Sequence, residues 1–180
     1  MIRVVKYNPQ WPDIFRAIAS QIELALADIP HWIEHVGSTS VPDLSAKPII
    51  DMDIVVPEDV YKTAIIRNLE NIGYVHRGNF GIEGREAFDA PEALPGHNLY
   101  LCSKGSLPLR NHLAVRDYLR VNPRFRDRYS ELKLALARQF PDDIDSYVEG
   151  KTGFLTEILL LCDFSEDEIH EITAVNKKPG

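Results

Sequence analysis

The run Ile49-Ile50-Asp51-Met52-Asp53-Ile54-Val55-Val56 constrains this chain more than any other stretch. Its β-branched residues favour a strand, and it is apolar on both faces toward its end, as strands in the middle of a sheet are. Side chains alternate along a strand, so Asp51 and Asp53 point the same way. Two carboxylates on one face repel each other unless a cation or a proton neutralises them. Charges are rarely set into an apolar strand without a partner.

The turn His35-Val36-Gly37-Ser38-Thr39-Ser40 lies upstream, with Gly37 14 residues before Asp51. Its backbone N–H groups, with the Ser38 hydroxyl, suit an anion such as phosphate. The structural alternative is a tight turn with a hydroxyl capping a short helix. It is neither a P-loop nor a dinucleotide fingerprint, because GxxxxGK[ST] and GxGxxG are both absent. A cation place beside a phosphate place outlines a phosphoryl or nucleotidyl transfer site. Asp51 and Asp53 are therefore the expected metal ligands and catalytic acids, with Gly37 and Ser38 as phosphate contacts. Mg²⁺ keeps several waters and needs only these carboxylates plus substrate phosphates, and Mn²⁺ fits the same ligands.

Other candidates are less local. Lys47 stands before the carboxylate strand, either to neutralise phosphate or as a solvated countercharge to Asp43. Lys104 follows a later strand with the same choice. His112, Arg116 and Arg120 recur every four residues on one helix face, as a phosphate-gripping wall or as a solvated face. Lys133 and Lys151 are further cofactor-binding candidates. His97 opens a strand expected beside the carboxylates and is a candidate base, or else an ordinary strand end. None of the six histidines forms HxH or HExxH, which argues against a zinc hydrolase. Cys102 reads as buried, and Trp11 and Trp32 as packing residues.

The formal charge of −7 argues against a general nucleic-acid coat. Basic residues concentrate from Lys104 to Lys151, which fits a small phosphorylated partner better than a long polymer. No apolar run approaches the length of a membrane span, and the first residues lack the core of a secretory signal. Two cysteines without CxxC spacing suggest a reducing compartment and a cytoplasmic protein.

The periodicity predicts a mixed α/β (α+β) fold. A helix follows Pro12, with Ile14, Ile18, Ile22 and Leu26 on its stripe. Strands are expected at 32–36 and 48–56, with a helical turn near Pro42-Asp43-Leu44 between them. A helix over 58–71 should turn Val60, Ala64, Ile65 and Leu69 inward. Strands follow from 73, over 83–90 and over 97–102. From residue 107 the chain reads as helices: 109–121, a second from Pro123 to Phe140, a third over 144–159, and a last one over 166–176 before a frayed tail. Residues 1–106 form the mixed core portion and 107–180 the helical portion of one domain spanning 1–180.

The string His35-Val36-Gly37-Ser38-Thr39-Ser40-Val41-Pro42, with Leu44, Ala46-Lys47-Pro48-Ile49-Ile50-Asp51-Met52-Asp53, resembles the GrpB family. So do Arg116-Asp117-Tyr118-Leu119-Arg120, Tyr129, Lys133, Lys151, Tyr7-Asn8-Pro9 and Trp11. That family is related to the nucleotidyltransferase superfamily, and a domain like it is sometimes joined to dephospho-coenzyme A kinase. The resemblance implies a mixed sheet flanked by helices, a Gly-Ser turn holding a triphosphate at Gly37 and Ser38, and metal on Asp51 and Asp53. Active members of the superfamily use a third acid on a later strand. Here the 97–102 strand has neither Asp nor Glu, which leaves Glu83, Glu86 or Asp89 as substitutes, or His97 as a different base.

Three functions follow. The first is a metal-dependent nucleotidyltransferase that moves a nucleoside monophosphate from an NTP to a small-molecule hydroxyl or phosphate. The second is a non-catalytic nucleotide-binding or regulatory module. The third is another metal-dependent phosphoryl-transfer enzyme.

Overall fold

The computed structural model describes residues 1–174. Its sheet has five strands: β1 (Trp32–Val36), β2 (Ile50–Val56), β3 (Val75–Gly78), β4 (Arg85–Asp89) and β5 (His97–Ser103). They lie in the order β1-β2-β5-β4-β3, so the acidic strand sits inside the sheet as its apolar pattern predicts. β2 runs antiparallel to β1 and parallel to β5, and the remaining pairs are antiparallel.

Alternation along β2 sends Ile50, Met52, Ile54 and Val56 to one face. There they meet Ile18 and Ile22 of α1 (Trp11–Ala25), Leu26 directly after it, and Ile65 and Leu69 of α2 (Lys62–Asn71). Met52 and Ile54 are fully enclosed, and burying each such side chain contributes roughly 1.5–3 kcal/mol. The opposite face carries Asp51, Asp53 and Val55. Its apolar end is closed where Val55, Cys102 and Leu109 pack together. Leu109 lies on α3 (Leu107–Val121), which spans this face and contacts β1 and β5. The polar end of that face carries the two acids, Asp53 enclosed and Asp51 half-buried.

Four more helices follow among the described residues: α4 (Pro123–Gln139), α5 (Ile144–Glu149), α6 (Thr152–Leu161) and α7 (Glu166–Ala174). A second cluster ties Val41 and Leu44, from the loop before β2, to Leu119, Tyr129, Phe154 and Ile158. The helices are thereby anchored to the loop that precedes the acids.

Several local expectations shift. The helical turn between β1 and β2 is a 3₁₀ turn at Ser38–Ser40, directly after Gly37, rather than at 42–44. The helix expected from 58 opens with a separate 3₁₀ turn, Asp59–Tyr61, which leaves Val60 74% exposed instead of inward. The single helix expected over 144–159 is two, broken at Gly150 and Lys151. Trp11 is buried, but Trp32 is exposed at the edge strand. The expected tail and the end of the last helix beyond Ala174 lie outside the described residues.

Candidate functional site

The site is built where β1 ends. Gly37 adopts φ +68, and a Cβ there would overlap the Asp51 carboxylate. Glycine therefore allows the turn to lie directly against the acid. The Ser40 hydroxyl donates to the Gly37 carbonyl at 2.6 Å and closes the turn. Arg120 donates to the Ser40 carbonyl through Nε and Nη2 at 3.1 and 2.8 Å. Arg116 donates through Nη1 to Glu34 Oε2 at 2.7 Å and to the His35 carbonyl at 3.1 Å. Both arginines thus hold the turn to α3.

The carboxylates themselves are partnered asymmetrically. In the β2–β5 register Asp51 stands opposite Asn98 and Asp53 opposite Tyr100. Asn98 Nδ2 donates to Asp51 Oδ1 at 2.7 Å. His112 Nδ1 donates to Asp53 Oδ2 at 2.7 Å. Asp53 is fully buried, and its Oδ1 has no hydrogen-bond partner. Burial raises the Asp51 pKa, opposed by the Asn98 hydrogen bond and the His112 charge and reinforced by Asp53. Burial pulls the His112 pKa down, but the charge and hydrogen bond of Asp53, with Asp51 behind them, outweigh it and raise it.

Cations from the helices converge on the same place. Lys133 of α4 is only 2% exposed. Its Nζ donates to Ser38 Oγ at 2.8 Å and lies 4.3 Å from the centre of the Tyr129 ring. Burial, then the neighbouring Lys151 charge, holds its amine well below the ordinary lysine value, against the pull of Asp51. Lys151 sits at the α5–α6 break, with Nζ 4.8 Å from the Tyr147 ring, and Lys47 reaches the same ring at 5.8 Å. Burial and Lys47 lower the Lys151 pKa to about 8, again opposed by Asp51. Burial and mutual repulsion disfavour the charged form of these amines, and an anion placed between them would favour it.

A hollow of about 220 Å³ opens here, walled by Gly37, Ser38, Asn111, His112, Arg116 and Tyr129 among others. The structure thus brings together Gly37, Ser38, Asp51, Asp53, Lys133 and Lys151, with Lys47 beside them.

Two expected site residues are not brought in. His97 occupies the other sheet face, because alternation puts it opposite Ile50 in register. Its Nδ1 donates to the Pro95 carbonyl at 2.7 Å, and its Nε2 accepts from the Tyr74 hydroxyl at 2.8 Å. It is a satisfied core histidine, only 6% exposed. Lys104 follows the far end of β5 and lines a separate hollow with Asp59 and Lys62.

The substitute acids are also committed elsewhere. Glu86 pairs with His76 and Asp89 with Arg77, while Glu83 lies by Lys104. Sequence reasoning passed over Asn98 and undervalued His112. Asn98 becomes visible only once the β2–β5 pairing is known. His112 carried a weak signal in its four-residue spacing from Arg116.

The fit to a divalent cation can be tested on these residues. Asp51 and Asp53 offer hard oxygen ligands on one face, and the orphaned Asp53 Oδ1 is a buried acceptor lacking a partner, as a cation site requires. Among the described residues no group of three or more His, Cys, Asp or Glu side chains is arranged to hold a metal. A cation here would complete its shell with water or substrate oxygens.

The sheet order and flanking helices define a nucleotidyltransferase-like fold. The Cid1 poly(U) polymerase bound to MgATP matches 85% of this chain and 50% of its own, with TM-score 0.58 at 15% identity, a likeness of fold. The chain belongs to the GrpB family, whose model, described as GrpB protein, matches residues 1–160. It is 33% identical to the conserved protein GrpB from Enterococcus faecalis, whose crystal structure matches with TM-score 0.78 over 94% of this chain and 99% of that one. It is also 34% identical to the UPF0157 protein YqkA of Bacillus subtilis over 86% of this chain, and spans 45% of that protein's length. No helix among the described residues is long and apolar enough to cross a membrane.

Proposed function

We propose that this chain is a metal-dependent nucleotidyltransferase, which moves a nucleoside monophosphate from an NTP to a small-molecule hydroxyl or phosphate acceptor. One observation carries the reading. The Gly37–Ser38 turn, which lines the hollow, lies directly against the Asp51 carboxylate and accepts a hydrogen bond from the buried Lys133, so three parts of the chain converge on it. Burying a lysine costs several kcal/mol in desolvation, which its bond to Ser38 and the charge of Asp51 only partly offset.

The triphosphate lies along the turn, where Gly37 leaves room for the backbone to approach. Ser38 Oγ, oriented by Lys133, hydrogen-bonds an outer phosphate. Lys133, Lys151 and Lys47 neutralise the phosphate charge, and Arg116 and Arg120 hold the turn in shape. Asp51 and Asp53 would hold Mg²⁺ or Mn²⁺, which when bound offsets charge on the triphosphate and on the departing pyrophosphate. Asn98 orients Asp51, and His112 serves as countercharge to Asp53. The partner is a small phosphorylated molecule or nucleotide rather than a long nucleic acid. The free Cys102 and Cys162 support a cytoplasmic setting.

Calorimetric titration with non-hydrolysable NTP analogues, with and without Mg²⁺, tests this directly. Binding that needs the metal and is lost in folded Asp51→Asn and Asp53→Asn proteins is expected. Metal-independent binding, or none to any nucleotide, would contradict it. A second reading, a non-catalytic nucleotide-binding module, is favoured by the amide of Asn98 beside Asp51. It predicts the same binding with no covalent product.

A further inference from the structure

A second hollow, of about 300 Å³, adjoins the first, and the two share Asn111 and His112 as walls. Since His112 also holds Asp53, the acid pair lies beside the boundary between them. The first hollow contains Gly37 and Ser38, and the second contains Arg85.

Arg85 is unusual. Register places it opposite Cys102, on the same sheet face as the acids. Its guanidinium lies 4.5 Å from the centre of the Tyr100 ring, and Tyr100 is the register partner of Asp53. Its Nε is buried without a hydrogen-bond partner. Among the described residues no carboxylate forms an ion pair with it. Glu171, which also lines this hollow, is exposed where it meets the neighbouring hollow of Lys62 and Lys104. An arginine over an aromatic ring, with no carboxylate partner and lining a hollow, suits a planar or tetrahedral oxyanion.

The acids add a chemical constraint. A hydroxyl nucleophile must lose a proton in the transition state, which calls for a base within hydrogen-bond reach. Beside Asp51 the neighbouring strand supplies the amide of Asn98, and beside Asp53 the phenol of Tyr100, whose ring lies under the Arg85 guanidinium. His97 faces the other way, Glu86 and Asp89 are paired elsewhere, and His112, which lines both hollows, gives Nδ1 to Asp53 and keeps only Nε2. An acceptor that arrives already ionised needs no base, and it is the kind that the unpaired Arg85 at this hollow attracts. A phosphate monoester, with its second pKa near about 6, is largely a dianion at neutral pH.

We infer that the Arg85 hollow receives the acceptor, and that the acceptor attacks through the anionic oxygen of a phosphate monoester. This rests on the nucleotidyl-transfer reading. A non-bridging oxygen of the acceptor phosphate forms a bond to the α-phosphorus. The bond from that phosphorus to the α–β bridging oxygen breaks, and its electron pair leaves with pyrophosphate. The product is a phosphoanhydride, and no proton is removed from the nucleophile.

The test loads the protein with Mg²⁺ and α,β-methylene-ATP, so that the lysine side is filled, and then titrates inorganic phosphate by calorimetry, with glycerol as the neutral control. Saturable phosphate binding is expected, weakened at least tenfold in Arg85→Gln, less in Arg85→Lys, and unchanged in Arg77→Gln. Melting curves check that each variant is folded. Failure of phosphate to bind the loaded protein, equal binding by Arg85→Gln, or equally tight glycerol binding overturns the inference and leaves nucleotide binding standing. Failure of the analogue itself to bind overturns both.

Discussion

His112 on α3 and Asp53 on β2, 59 residues apart, are joined at 2.7 Å, with the carboxylate fully buried and the imidazole at the boundary between two hollows. In the cation-free protein this imidazole is the countercharge that lets Asp53 remain inside. Truncation to His112→Ala leaves a buried carboxylate unpaired, a change that costs about 3–5 kcal/mol. Mn²⁺ should restore part of that loss, since a cation on the same oxygens replaces the missing charge. Thermal melting with and without Mn²⁺ checks this. The variant should gain more from the metal than the parent does, and an equal gain would place the cation elsewhere.

Lys133 is expensive where it sits. Its amine is buried, and burial together with Lys151 depresses its pKa. Burial and the like charge of Lys151 both work against a charged amine here, so an apolar side chain of similar length loses little by replacing it. Lys133→Met should therefore melt no lower than the parent by more than about 1 kcal/mol in equivalent stability. It should also bind triphosphate at least about tenfold more weakly, which is roughly 1.4 kcal/mol. Parallel melting and nucleotide titration separate the two effects. A large loss of stability with unchanged affinity would make the lysine structural.

Lys151 sets the pH response. Its folded pKa of about 8 lies below the unfolded value, so the unfolded chain binds more protons between pH 8 and 10.5. Stability contributed through this group therefore rises with pH across that window. Anion affinity has the opposite sign, because a deprotonated amine attracts phosphate less. Triphosphate binding should begin to weaken as pH rises through about 8. Lys151→Gln should bind more weakly at neutral pH and lose that step, as nucleotide titrations from pH 6.5 to 9.5 would reveal.

Much of this was legible along the chain, and the rest depended on contacts that local pattern does not record. The burial of β2, the shared face of Asp51 and Asp53, and the turn at Gly37 follow from alternation and from the small residues. The fold class was legible in the helix and strand periodicities, and its match to GrpB and Cid1 agrees. His97 shows the limit. Alternation separates it from Asn98, but only the pairing of β5 with β2 reveals that Asn98, and not His97, shares the acids' face. Arg116 and Arg120 show another. Their charge suits phosphate, yet the Ser40 carbonyl takes donors of Arg120, and the His35 carbonyl and Glu34 carboxylate take donors of Arg116.

The central claim is that Asp51 and Asp53 together hold a divalent cation that a nucleoside triphosphate completes. Mn²⁺ titration followed by electron paramagnetic resonance measures this most directly, with the parent protein, Asp51→Asn and Asp53→Asn each taken with and without a non-hydrolysable NTP analogue. The account predicts one protein-bound Mn²⁺ per chain, tightened about tenfold or more by the nucleotide, and lost in both folded variants. Retention of that nucleotide-linked Mn²⁺ in either variant, or its absence from the parent, would contradict it.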